Sequence, residues 1–71
     1  MIKFPGIQLS MSEIEDGSSL EIMMGAIAAM VRAGAPSVAV GDYAEAAAAM
    51  INQRDLHGLL TVTQDTVLVT S

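Results

Sequence analysis

Asp55 and His57 are the one place in the sequence where a carboxylate and an imidazole stand close together. A histidine that is oriented by a carboxylate can act as a general base. A working site also needs a third group, such as a nucleophile, and no serine or cysteine stands beside this pair. We therefore interpret the pair as a polar connection that ends at Gly58. A small ligand-binding or enzyme subunit that uses Asp55 and His57 is kept as an alternative.

A group of carboxylates, Glu13, Glu15 and Asp16, precedes Gly17. Hard cations require several oxygen ligands at defined spacings, and the spacing of an EF-hand loop is not met. The sequence contains no cysteine and a single histidine, which excludes thiolate–zinc sites and multi-histidine sites within one chain. We therefore predict that the protein uses no metal and no other cofactor.

Gly17-Ser18-Ser19-Leu20 stands directly before an apolar segment. These residues resemble the Gly-x-Ser-Leu surroundings of the phosphopantetheine serine in acyl and peptidyl carrier proteins, in which that serine also opens an apolar helix. The resemblance implies a second alternative function, a degenerate carrier-like protein with Ser19 as the attachment site. A serine is also the residue expected at a helix N-cap, which is the simpler interpretation.

The composition excludes several classes of partner. The chain has 71 residues, a net charge of −5 and only three cationic residues, Lys3, Arg32 and Arg54. Binding to nucleic acid requires clustered cations or exposed aromatic rings, and Phe4 and Tyr43 are the only aromatic residues. We predict a single domain over residues 1–71 that binds neither nucleic acid nor membranes. Without a recognisable targeting segment, we expect it in the cytoplasm.

The clearest structural prediction is a helix over residues 19–33. Ser18 and Glu21 have the spacing of a capping box, and Gly34 is the residue type that favours the end of a helix. The segment between them is almost continuously apolar, whereas a surface helix normally keeps a polar half. We therefore expect this helix to be covered on most sides.

The other segments predict an α+β fold. Pro5-Gly6 fits a type II turn, and Ile7, Leu9 and Met11 alternate with polar residues as in a half-buried strand. Residues 36–40 suggest a brief strand, and Asp42 is the expected cap of a second helix. Residues 59–63 and 66–70 suggest a hairpin. The predicted architecture is a small antiparallel sheet, made of the N-terminal strand and the C-terminal hairpin, packed by two helices. Its helix–strand–helix–hairpin order resembles a winged helix, here without a cationic recognition helix.

The excess of apolar residues indicates the function. The hydrophobic fraction is 52%, while aromatic residues make up only 3%. We predict a non-enzymatic protein-interaction module, that is, an adaptor, an inhibitor or an accessory protein of a bacterium, phage or mobile element. The expected partner is a second copy of the chain in a homodimer or higher oligomer, or else a basic protein. The predicted interaction residues lie on the first helix, where small residues allow close approach and methionines adapt to a partner: Met23, Met24, Gly25, Ala29, Met30 and Ala33.

Overall fold

The computed structural model describes residues 2–13 and 18–70. Strand β1 is followed by a short 3₁₀ turn, three α-helices and strand β2. Their bounds are Phe4–Ser10 for β1, Met11–Glu13 for the 3₁₀ turn, Ser19–Arg32 for α1, Ser37–Asn52 for α2, Leu56–Thr66 for α3 and Val67–Thr70 for β2.

The sheet has two strands, and they run parallel. Phe4 pairs with Val67, and Gln8, Leu9 and Ser10 pair with the three residues that follow Val67, so β1 bulges between Phe4 and Gln8. Parallel strands cannot be joined by a tight turn, and here the three helices make the connection. The predicted antiparallel sheet is therefore wrong. The predicted alternation is confirmed within β1, where Leu9 is buried and Gln8 is exposed, but it does not extend to Met11, which lies in the 3₁₀ turn.

The predicted turn at Pro5-Gly6 is also wrong, because both residues lie within β1. A type II turn requires a positive φ at its glycine. Among the described glycines, the one with positive φ is Gly34. Proline cannot donate to a strand ladder and is confined to bulges and edges, which agrees with its position in the bulge.

The predicted C-terminal hairpin is wrong because residues 59–63 belong to α3. Leu59, Thr63 and Thr66 recur at helical spacing and form the buried side of α3. Two threonines of the predicted hairpin donate their hydroxyl hydrogens to helix carbonyls one turn earlier. Thr63 donates to Leu59 at 2.8 Å, and Thr66 donates to Val62 at 2.9 Å. Only the last part of the predicted hairpin, Val67–Thr70, is a strand.

The strand predicted at residues 36–40 is wrong as well, since α2 already begins at Ser37. Pro36 is its N-cap residue, and Asp42, the predicted cap, lies inside the helix. Proline at a helix start loses no hydrogen bond. Tyr43 and Ala47, one turn apart, bury this helix against the core, so packing outweighs the strand preference of Val38 and Val40. The described chain therefore has three α-helices where we predicted two.

The prediction for α1 is confirmed at both ends. The Ser18 hydroxyl accepts a hydrogen bond from the Glu21 amide at 3.2 Å. At the other end Gly34 has a φ of 82°, its amide donates to the Val31 carbonyl, and the Ala35 amide donates to the Met30 carbonyl. These two bonds form a Schellman motif, which stops the helix where the glycine stands.

Every described helix and strand contributes to one core, which contains a buried polar contact. The buried hydrophobic residues are Leu9, Ile22, Ala26, Met30, Tyr43, Ala47, Leu59 and Val67. The Tyr43 hydroxyl lies 2.8 Å from the hydroxyl of buried Thr63. Because Thr63 donates its own hydrogen to Leu59, Tyr43 is the donor in this contact. The bond therefore links α2 to α3 inside the core.

This contact predicts unequal effects of two substitutions. Thr63→Val should lower the free energy of unfolding by about 1–3 kcal/mol, because it leaves the buried Tyr43 hydroxyl without an acceptor. Tyr43→Phe should lower it by only about 0.5–1.5 kcal/mol, because Thr63 keeps its bond to Leu59. Urea denaturation measures both values. The Tyr43→Phe/Thr63→Val double variant should be no less stable than Thr63→Val alone, and additive losses would contradict the contact.

The same tyrosine predicts a loss of stability in alkali. Burial raises the pKa of Tyr43 above its usual value of 10.0. Above pH ~10 the unfolded chain releases the phenol proton while the folded chain keeps it, so the free energy of unfolding falls as pH rises. Tyr43 is the only tyrosine, so absorbance reports its ionisation without overlap. Tyr43→Phe should lose less stability between pH 9 and 11 than the unmodified chain, and equal losses would contradict the assignment.

Candidate interaction surface

The Asp55 carboxylate has a structural role at the start of α3. It accepts a hydrogen bond from the Gly58 amide at 2.8 Å, and Asp55 is the N-cap residue of the helix. His57 lies in the first turn of the same helix with its side chain exposed. Neither residue lines any of the three grooves described below. The geometry therefore assigns the carboxylate to helix capping.

Ser18, rather than Ser19, caps α1. Ser19 is the first residue of the helix, and its side chain is half-buried. The attachment role that the carrier resemblance implied stays a prediction.

The carboxylate cluster lies mostly outside the described residues. Glu15, Asp16 and Gly17 are not described, and of Glu13 only the backbone is. Over residues 2–13 and 18–70, no three histidine, aspartate or glutamate side chains come together as a group that could hold a metal ion.

The six predicted interaction residues fall on different sides of α1. Met30 is fully buried and Ala29 is nearly so. Met23 and Gly25 are half-buried, Ala33 is exposed beyond the end of the helix, and Met24 is the one large side chain of the set that is mostly exposed, at 59%. The structure therefore leaves Met24 as the large member most accessible to another chain.

The buried side of α1 consists of Ile22, Ala26, Ala29 and Met30. At about 100° per residue these positions span roughly 100° of the helix circumference. Two of the four are alanines, so the helix approaches the rest of the protein closely and buries few large side chains there.

The opposite side of α1 is also apolar, and it is exposed. Leu20, Met24 and Val31 are 53%, 59% and 61% exposed, and Ala28 lies among them. These four positions fall within roughly 80° of one another, on the side opposite Ile22 and Ala26. Together with Glu21 and Arg32, which are exposed along one flank, we call them the outer face of α1.

A shallow groove of ≈ 270 Å³ runs along the charged flank of the outer face, between α1 and β1. Gln8 and Ser10 line it from the strand, and Gly25 and Ala29 line it from the helix, with Glu21 and Arg32 among its other lining residues. Gly25 and Ala29 leave this space because their side chains are small. Two further grooves, of ≈ 330 and ≈ 460 Å³, meet near Phe4 and Pro36, on other elements.

The sequence predicted an almost continuously apolar helix and did not distinguish Leu20 and Val31 from Met30. The structure separates them, since Leu20 and Val31 are exposed while Met30 is fully buried. A signal was present in the sequence. Glu21 and Arg32 each stand next to one of the exposed residues, and charged side chains mark the solvent side of a helix.

Comparisons with protein-family models, with curated proteins and with solved structures found no match. Among the described helices, none combines the length and apolar character that crossing a bilayer requires. The function must therefore be argued from the surface of this chain.

The capping role of Asp55 makes a testable prediction. Asp55→Ala should lower the free energy of unfolding by about 1 kcal/mol, because the first turn of α3 loses its side-chain acceptor. His57→Ala, two residues away and exposed, serves as the matched control and should change it by less than about 0.5 kcal/mol. Urea denaturation of the two variants measures the difference. A larger loss for His57→Ala would show that the imidazole has a role of its own.

Proposed function

We propose that this protein is a non-enzymatic protein-interaction module that associates with itself through the outer face of α1. The observation that supports the proposal is the exposure of Leu20, Met24 and Val31 on one side of a single helix. Single exposed apolar residues are ordinary, but a contiguous apolar patch on a small protein marks an interaction site. Methionine in particular adapts its shape to a partner.

The distribution of residue sizes on α1 supports the same conclusion. A helix that served only its own core would place its large side chains inward and its small ones outward. Here alanines occupy two of the four buried positions, and Leu20, Met24 and Val31 are more than half exposed. The outer face therefore has apolar bulk that the monomer does not use.

An estimate of the energy indicates a weak complex. Full burial of a Leu, Met or Val side chain stabilises by about 1.5–3 kcal/mol, and about half of that remains available on each of these three residues. Six such side chains in a dimer contribute roughly 5–9 kcal/mol. Association itself costs about 4–15 kcal/mol, so the contact must gain further from packing and charge, and we expect a dissociation constant in the range of roughly 10 µM to 1 mM.

Sedimentation velocity over a concentration series of roughly 5 µM to 1 mM tests the proposal. The salt concentration should be physiological, because each copy carries a net charge of −5 and unscreened copies repel one another. We expect the unmodified chain to shift from monomer to dimer across the series. Met24→Glu should remain monomeric, because it places a charge at the centre of the outer face.

Val38→Glu is the matched control. Val38 is the most exposed large apolar residue described, at 73%, and it lies on α2, outside the outer face. The substitution makes the same change in net charge, so it should leave association intact. An unmodified chain that stays monomeric at every concentration would contradict the proposal. Dissociation by Val38→Glu but not by Met24→Glu would place the contact on α2 instead.

A further inference from the structure

The two ends of the outer face of α1 carry residues of similar type, an exposed apolar residue beside a charged one. Toward the N-terminus an exposed leucine stands beside an acid, Leu20-Glu21, and toward the C-terminus an exposed valine stands beside a base, Val31-Arg32. Between them lie one large side chain, Met24, and one small side chain, Ala28, at equal distances in sequence from Ala26. The face is thus apolar throughout, with opposite charges at its two ends.

We infer that two copies of this chain pair their α1 helices antiparallel, around a two-fold axis that passes between the two outer faces at the level of Ala26 along each helix. This inference rests on the proposed function and adds the identity of the partner and its orientation. A two-fold interface places the same patch of each copy against the other, so the patch must be complementary to itself. The exposed residues of α1 meet this condition.

Charge determines the orientation. In an antiparallel pair, Glu21 of one copy lies within one residue's rise, about 1.5 Å along the axis, of the level of Arg32 of the second copy. A two-fold axis perpendicular to the helices keeps each flank against the same flank of the other copy. Glu21 and Arg32 share one flank, so the two unlike pairs form on that flank. A parallel pair has its two-fold axis along the helices and sets the charged flank of each copy against the apolar flank of the other. The two unlike pairs then cannot form, and the helix dipoles also align unfavourably.

The apolar side chains fit the same orientation. On the other flank Leu20 of one copy meets Val31 of the second copy at nearly the same level. In the centre Met24 of each copy lies over Ala28 of the other, so a long flexible side chain fills the space above a small one. Matching large to small residues in this way allows helices to pack at the usual separation of about 8–10 Å. The second copy is therefore the occupant that the face itself specifies in both charge and size.

Cysteine cross-linking tests the orientation directly, because the chain has no cysteine of its own. Leu20→Cys and Val31→Cys replace exposed side chains, so both variants should fold, which circular dichroism checks. Equimolar mixtures under mild oxidation should give mainly the mixed Leu20→Cys/Val31→Cys disulfide, identified by its intact mass. Each variant alone should cross-link several-fold less, because its two sulfurs lie about 18 Å apart along the axis for Leu20→Cys and about 15 Å apart for Val31→Cys.

The possible outcomes separate this inference from the proposed function. Efficient cross-linking of Leu20→Cys with itself would indicate a parallel pair and overturn the inference, while self-association would stand. A dimer of the unmodified chain with no cross-link in any combination would place the contact elsewhere. A chain that stays monomeric at every concentration would contradict both the inference and the proposed function, and the partner of the outer face would then be a different protein.

Charge exchange provides a second test that does not depend on cysteine. Glu21→Arg and Arg32→Glu each turn two unlike contacts into two like ones, and each should weaken the dimer roughly five- to thirty-fold. The Glu21→Arg/Arg32→Glu double variant restores unlike pairs between copies and should recover most of the affinity. The double variant also places both charges unfavourably with respect to the helix dipole. If Glu21 and Arg32 served only to stabilise α1, the double variant would therefore dimerise more weakly than either single variant. That result would overturn the inference.

Discussion

The parallel pairing of β1 with β2 is the contact on which the rest of the described structure depends. It joins a strand at the beginning of the chain to a strand at its end, and Leu9 and Val67 bring both strands into the core. A two-stranded sheet is marginal by itself and needs a packed face. The three helices between the strands supply that face, and the same helices make the crossover that parallel strands require. One pairing therefore requires a long connection through the middle of the chain, and the three helices provide it.

That dependence explains which elements could be predicted from the sequence. The bounds of α1 follow from local chemistry, the hydroxyl of Ser18 at one end and the positive φ of Gly34 at the other, and local chemistry can be read from the residues. Residues 59–63 were misassigned because alternating leucine, threonine and valine fit both a strand and one side of a helix. The Asp55 cap resolves this choice in favour of a helix. The partner of β1 is the far end of the chain, and no local pattern could reveal that the two strands run parallel.

The same division applies to the outer face of α1. The sequence predicted that α1 has more apolar surface than one core can use, and Met24 was among the predicted interaction residues. It could not separate Leu20 and Val31 from Met30, because a helix with apolar residues all round gives no direction for its core. The direction comes from β1 and α2, which contact α1 on the side of Ile22 and Ala26. Tertiary packing thus decides which apolar residues stabilise the fold and which remain at the surface.

A chain of this size hides only ~60% of its unfolded surface, and a core poor in aromatic rings contributes less per residue than most. Moving Leu20, Met24 and Val31 inward would require α1 to stand further from its neighbours than Ala26 and Ala29 now allow. The close approach of α1 to the core and the apolar bulk on its outer face are therefore consequences of one arrangement. If a second copy covers the outer face, the dimer contact buries Leu20, Met24 and Val31, for which the core of the monomer has no room. Folding then depends on one side of α1 and association on the opposite side. A substitution at Met24 is therefore expected to change association without changing folding.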